Sequence, residues 1–267
     1  MAMKRTSGKV FLVGAGPGDP GLLTLKGRKC LKTADVVITD ALVNPEILRW
    51  ARPRALKIPA RLRLPGKSRT AVRRAQQDRI NRLMVRYARM GRNVVRLKGG
   101  DPFLFGRGGE EAEVLASSDI PFEVVPGVSS VTAVPAYAGI PVTDRRFNSI
   151  LTVLTGHSVE PAGSPNLPWK EVPRTGTIVI LMGAERMGHI LRGLIRRGWP
   201  ESTPCAFVRR GTCADQEASS GTLAGFMDLV KDRPGIFRPP GITIVGDVVK
   251  LRGKLDWLQK NRSKARS

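Results

Sequence analysis

VVRLKGGDPFLFGRGGEE, Val94 to Glu111, is the stretch on which the reading of the fold turns. It opens in a β-branched run, Asn93–Leu97, that reads as a strand, and it closes in a helix that includes Glu110–Leu115. Between them lie Gly99, Gly100, Gly106, Gly108 and Gly109. Glycines directly after a strand let backbone come close to a ligand, and the helix N-terminus that follows favours anions. Asp101, between Gly100 and Pro102, can accept hydrogen bonds from ribose hydroxyls or an amino group, or it can cap the next turn. So many glycines flanked by Phe103 and Phe105 exceed what a cap needs, which favours the ligand.

Outward from this stretch the same rhythm recurs. Val10–Val13 reads as a strand that ends in Gly14-Ala15-Gly16-Pro17-Gly18-Asp19-Pro20-Gly21, with a helix over Leu22–Lys32 and a strand over Asp35–Thr39. Ile80, Leu83, Met84 and Tyr87 repeat at helical spacing before Gly91, and Phe122–Val125 is a further strand. The second half shows strands at Ile150–Leu154, Thr177–Met182, Pro204–Val208 and Gly241–Val245, a helix over Met187–Arg197, and a strand running into a helix at Ala218–Leu223. A turn-rich stretch, Gly163–Pro168, interrupts it. Strands alternating with helices predict an α/β fold of mainly parallel sheets flanked by helices. Pro126-Gly127 makes a hinge, giving an N-terminal α/β domain over 1–125, a C-terminal α/β domain over 126–252 and a basic tail over 253–267. Two glycine loops after parallel strands place two ligand-approaching segments at the C-terminal edge of one sheet, where open α/β folds bind ligands.

Composition narrows the class. No apolar run approaches the ~20 residues of a membrane helix, and Met1–Lys9 leads into a strand rather than a signal region, so a cytoplasmic protein is expected. Cys30, Cys205 and Cys213 lack zinc-site spacing, and His157 and His189 cannot build a metal cluster, so no metal is expected. The 45 Lys and Arg against 22 Asp and Glu, a formal net charge of +23, draw polyanions: nucleic acid, acidic membrane or a multiply charged small substrate. The basic run Arg52–Arg79 contains no aromatic residue for base stacking, which argues against nucleic acid. The basic tail, Lys250 to Arg266, reads as a solvated end.

The first loop invites a dinucleotide reading, with Asp40 about 20 residues on where a ribose-binding acid belongs. The spacing is GxGxG followed by Asp-Pro, however, and Pro17 and Pro20 remove amide donors that a pyrophosphate would use. Asp40 therefore reads equally as a cap after a strand or as a functional carboxylate.

From about Lys9 to Arg252 these segments resemble the uroporphyrinogen-III C-methyltransferases of the tetrapyrrole methylase superfamily. The anchors are VGAGPGDPGLLT (Val13 to Thr24), ADVVITDALV (Ala34 to Val43), the opening stretch, and VPGVSSVTAVPAYAGIPVTDR (Val125 to Arg145). TGH (Thr155 to His157), Met182-Gly183, RGT (Arg210 to Thr212) and IVGDVV (Ile244 to Val249) follow. The resemblance implies a two-domain homodimer that holds S-adenosylmethionine in a trough between domains, releases S-adenosylhomocysteine, and methylates uroporphyrinogen III at C2 and C7 to give precorrin-2. It carries cofactor contacts onto Pro17, Gly99, Gly100, Asp101, Leu104, Ser129, Ser130, Met182 and Gly211. Asp40 matches the proton acceptor and Lys67 the proton donor. Met182 rests on the resemblance alone, because a lone methionine at a strand end is ordinarily core.

Thr39, where relatives often carry Tyr or His, Asp144-Arg145, Arg209-Arg210 and the lengthened region around Lys67 depart from the pattern. An anionic tetrapyrrole suits an arginine-rich site, for which Arg107, Arg145 and the Arg61–Arg74 stretch are candidates. Three rivals remain: a methylase of the same superfamily acting on another tetrapyrrole or on RNA, a basic nucleic-acid-binding protein, and an NAD-dependent oxidoreductase. The GGDPF loop argues against the RNA methylase.

Overall fold

The computed structural model describes residues 8–62, 64–156 and 169–258. Arg63, His157, the turn-rich stretch Gly163–Pro168 and the tail from Lys260 to Arg266 lie outside the described residues. The chain divides into two compact units, the first ending at Ser129 and the second beginning at Ser130.

In the first unit the strands are β1 (Val10–Gly14), β2 (Val36–Thr39), β3 (Leu56–Pro59), β4 (Val94–Lys98) and β5 (Phe122–Val125), and the helices are α1 (Leu25–Thr33), α2 (Arg69–Arg89) and α3 (Gly108–Ser117). The sheet order is β3-β2-β4-β1-β5. Every pair is parallel, with Val10 opposite both Val94 and Phe122 and Val36 opposite both Val94 and Leu56. Strand alternation divides the interior between two faces. Val13, Val37, Val95 and Leu97 pack with Leu31 of α1 and with Ile47, which lies in the 3-10 turn Pro45–Trp50. Val10, Leu12, Val36, Ile38 and Val94 pack with Ile80 and Met84 of α2 and Leu115 of α3. The period of β4 then places Arg96 and Lys98 on that second face, both buried.

Local chemistry fixes the helix starts. The Thr24 hydroxyl accepts from the Gly27 N–H at 3.0 Å to cap α1, and the Ser68 hydroxyl accepts from the Ala71 N–H at 3.2 Å to cap α2. The start of α3 has no side-chain cap; Glu110 and Glu111 in its first turn answer the helix dipole instead.

The second unit contains α4 (Ser130–Tyr137), β6 (Leu151–Thr155), β7 (Thr177–Leu181), α5 (Met187–Arg196), β8 (Pro204–Arg209), β9 (Glu217–Thr222), α6 (Leu223–Asp232), β10 (Gly241–Val245) and α7 (Arg252–Leu255). Its sheet order is β6-β7-β10-β8-β9. Here the expectation of parallel pairing is corrected: only β6 and β7 pair parallel, while β7–β10, β10–β8 and β8–β9 are antiparallel. The causes are topological. A short loop from Arg210 to Gln216 joins β8 to β9 as a hairpin, and β10 returns late in the chain to insert between β7 and β8.

Of the stretch expected as a basic tail, residues 253–258 are described. Trp257 packs edge-on against Tyr137 at 5.2 Å, and its indole N–H donates to the Ala136 carbonyl at 3.0 Å. Trp257 is thus docked on α4.

The core of the second unit centres on Phe226, Phe207 and Phe237, with ring centroids 5.1 Å apart for both Phe207–Phe237 and Phe226–Phe237. Phe226→Ala is expected to cost about 3–5 kcal/mol, read as a lowered midpoint in urea unfolding followed by circular dichroism.

Candidate functional site

Three backbone segments meet at the C-terminal edge of the first sheet. The Gly16 N–H donates to the Gly100 carbonyl at 3.2 Å, the Gly100 N–H to the Gly16 carbonyl at 2.8 Å, and the Ala15 N–H to the Lys98 carbonyl at 2.7 Å. A Cβ on Gly14 would stand 2.5 Å from the Gly127 Cα and 2.6 Å from the Gly100 carbonyl oxygen; a Cβ on Gly127 would stand 2.3 Å from that same oxygen. Side chains at these two positions would collide with main chain, which cannot yield, so glycine is required by close approach.

Asp101 caps the next turn, one of the two roles its sequence context allowed, and also binds a second backbone segment. Its Oδ1 accepts from the Phe103 N–H at 2.8 Å, which caps the turn, and its Oδ2 accepts from the Gly127 N–H at 3.0 Å, which pins the third segment. A carboxylate offers about four lone-pair sites, so both oxygens keep capacity for a ligand. Gly127 is therefore part of the first unit's loop cluster. Beside it the surface is open: a Cβ on Gly99 would meet only Leu42 Cβ at 3.6 Å, and one on Gly109 nothing within 4 Å. Leu42, Phe103 and Phe105 stand exposed around this opening, an apolar rim. Phe105 and Arg107 hold left-handed backbone angles, φ of 53° and 59°, of the kind that clusters at ligand clamps. Pro17 is half-buried in the first loop, and Leu104 is half-buried in the second.

Asp40 lies just past β2, its N–H bonded to the Leu97 carbonyl at 3.0 Å. Its Oδ1 accepts from Arg96 Nη2 at 2.6 Å, and its side chain keeps 30% of its exposure. Behind it is a buried charge cluster that the sequence reading missed. Glu111 of α3, fully buried, accepts from Arg96 Nε at 3.0 Å, Lys98 Nζ at 2.9 Å and Gln77 Nε2 at 3.2 Å. Burial, then the neighbouring Arg96 cation, pushes the Lys98 ammonium below its ordinary value, with Glu111 opposing. For Arg96, burial works against the charge, and Asp40 and Glu111 more than offset it, so its value is raised. The signal was present in VVRLK: two cations in a strand buried on both faces must find anions.

The remaining expected residues are placed as follows. Lys67 is exposed in the turn before α2, its N–H bonded to the Leu64 carbonyl at 3.4 Å. Ser129 is the last residue of the first unit, and Ser130 opens α4. Met182, just past β7, is not core: it is 43% exposed with a φ of 55°. Gly211 lies in the β8–β9 hairpin between Arg210 and Thr212, both left-handed, and a Cβ there would stand 2.3 Å from Val134 Cγ1 of α4. Arg107 is engaged by its own helix, Nε to Glu110 at 2.9 Å and Nη2 at 2.5 Å, and this pairing lowers the Glu110 carboxyl. Asp144 pairs with Arg146 at 2.9 Å, whose hydrogen bonds pull its carboxyl down to about 2, while Arg145 is exposed.

A parallel sheet with three glycine-built segments and a carboxylate at its C-terminal edge defines an α/β protein built to take a small ligand there. The chain belongs to the tetrapyrrole (corrin/porphyrin) methylases, whose family model matches residues 9–226. It is 47% identical over 250 residues to an S-adenosyl-L-methionine-dependent uroporphyrinogen III methyltransferase of Methanosarcina barkeri, covering 93% of this chain and 95% of that one. It is 46% identical over 253 residues to a siroheme synthase of Pseudomonas entomophila, covering 94% of this chain but only 52% of that one, so it spans about half of that relative. Among solved structures, uroporphyrin-III C-methyl transferase from Thermus thermophilus complexed with S-adenyl homocysteine is 36% identical, with a TM-score of 0.75, covering 91% of this chain and 94% of that one.

The contact of Gly127 with Gly14 and Gly100 makes a direct prediction. Gly127→Ala should weaken S-adenosylhomocysteine binding by calorimetry at least about tenfold, or 1.4 kcal/mol. Gly253→Ala in α7, where a Cβ also meets nothing within 4 Å, should leave it unchanged.

Proposed function

We propose that this chain transfers methyl groups from S-adenosylmethionine to C2 and C7 of uroporphyrinogen III, giving precorrin-2. The observation that carries the proposal is the glycine-built opening at Gly99–Leu104, braced by Asp101, in a chain 47% identical to a relative named for this activity. The residues present fit the cofactor: the Cβ directions of Gly99 and Gly109 are open, and Asp101 keeps acceptor capacity for hydroxyl or amino donors. Pro17, Gly99, Gly100, Asp101, Leu104, Ser129, Ser130, Met182 and Gly211 would hold it. When bound, the cofactor supplies an already activated methyl on a sulfonium.

What remains for the protein is to orient a nucleophilic pyrrole carbon, exclude water and manage one proton. Carbon methylation leaves a cationic ring that must lose a proton, and Asp40 would take it or stabilise the charge. Oδ1 is held by Arg96, which leaves Oδ2 for the substrate. We assign Lys67 as the proton donor, its ammonium returning a proton to another ring position as the methylated macrocycle shifts its double bonds; its exposure in a turn leaves it free to approach a bound substrate. The polycarboxylate substrate suits exposed guanidinium groups, with Arg145 the candidate nearest the departures noted at Asp144. The same reading makes the protein a cytoplasmic homodimer acting at the entry to sirohaem and cobalamin synthesis. No helix among the described residues is long and apolar enough to cross a membrane.

Labelled S-adenosylmethionine and anaerobically prepared uroporphyrinogen III test the proposal by product mass. The expected product carries two added methyl groups. Asp101→Ala should abolish transfer together with cofactor binding, while Asp40→Ala should slow turnover by about 100-fold with cofactor binding intact. Cofactor binding without transfer in the wild type would move the substrate elsewhere.

A further inference from the structure

The cluster behind Asp40 is costly as pure scaffolding. Replacing a buried ion pair by apolar residues of similar volume is often neutral or stabilising, so stability alone does not call for two cations and a carboxylate within a parallel sheet. Its geometry has a direction. Lys98 Nζ and Gln77 Nε2 fix Glu111 from two sides, and Glu111 holds the Nε edge of Arg96. The guanidinium is planar, so fixing one edge fixes the other, which presents Nη2 to Asp40 Oδ1. The chain of contacts runs from a fully buried carboxylate to a partly exposed one at the mouth of the site. The charges balance only when Asp40 is counted: Arg96 and Lys98 against Glu111 and Asp40. Lys98 directly precedes the loop that starts at Gly99, and Glu111 lies in the first turn of the helix that ends it, so their ion pair closes the base of that loop.

We infer that Arg96 and Glu111 are positioning residues: Glu111 orients the guanidinium of Arg96, which holds Asp40 with its second oxygen turned to the substrate. The inference rests on the role proposed for Asp40 and deepens it. Neither residue is proposed to touch substrate or cofactor.

Arg96→Met is the primary variant, because it leaves Lys98 and Glu111 as a balanced pair with the loop base closed. Arg96→Lys, which keeps the charge but lacks the fork, is the second variant should the first fail to fold. Both are expected to bind S-adenosylhomocysteine within about twofold of wild type, since the loop is untouched, and to lose at least about tenfold in kcat. In the Asp40→Asn background neither should cause further loss, because its target is already gone. Losses that multiply with Asp40→Asn, or cofactor affinity that falls in step with kcat, would overturn the inference. A readout independent of turnover is the crystal structure of Arg96→Met, read for the position of the Asp40 carboxylate. Without the guanidinium that holds Oδ1 at 2.6 Å in the wild type, the Asp40 carboxylate is expected to leave its position, and an unmoved carboxylate overturns the inference whatever the activity. A displaced carboxylate in a protein whose wild type methylates no uroporphyrinogen III would sink the substrate reading while the tie stands.

Discussion

Main chain meets main chain at Gly14, Gly100 and Gly127, and the site depends on that contact. Two of these segments end the adjacent strands β1 and β4, and the third follows β5; all run parallel, so all three leave the sheet at the same edge. Parallel pairing alone would leave three loops side by side. Glycine lets them touch, and Asp101, accepting from both its own turn and Gly127, keeps them touching. The absence of side chains at the contact also opens the surface next to Gly99, so one constraint provides rigidity and room together.

Behind the edge, electrostatics takes over from packing. β4 alternates between the two faces, and at Arg96 and Lys98 the alternation places cations where Val94 begins an apolar face. Glu111 accepts from both, which offsets part of the burial penalty, and the far side of the Arg96 guanidinium is directed outward to Asp40. The loop that would hold the cofactor and the carboxylate that would take the proton thereby share one buried anchor. A reaction that needs a methyl donor and a proton acceptor in fixed relation gains from such a shared support.

Much of this was legible in the sequence because the first sheet is made of β-branched runs closed by glycines. β1, β2, β4 and β5 fall within a residue or so of the strands expected over Val10–Val13, Asp35–Thr39, Asn93–Leu97 and Phe122–Val125. β3 was not legible: Leu56–Pro59 is a largely exposed edge strand inside an arginine-rich stretch, without the alternation that marks a half-buried strand. Helix α4 was missed because its eight residues include Pro135. Strand direction in the second sheet was hidden because it depends on β10 returning between β7 and β8 from far along the chain. Asp101 was singled out as a ligand residue or a cap, yet its bond to Gly127, 26 residues away, belongs to the fold and not to any motif. The partnership of Asp40 with Arg96, 56 residues apart, is of the same kind. Motifs reveal which residue types gather at a site; register decides which of them support one another.

S-adenosylmethionine would then be held at the Gly99–Leu104 opening, braced by Asp101. A crystal structure of the protein grown with S-adenosylhomocysteine tests it most directly. Density for the ligand is expected against Gly99, Gly100 and Leu104, with Asp101 within hydrogen-bond reach of its polar groups. Ligand density elsewhere, with this loop untouched, would contradict it.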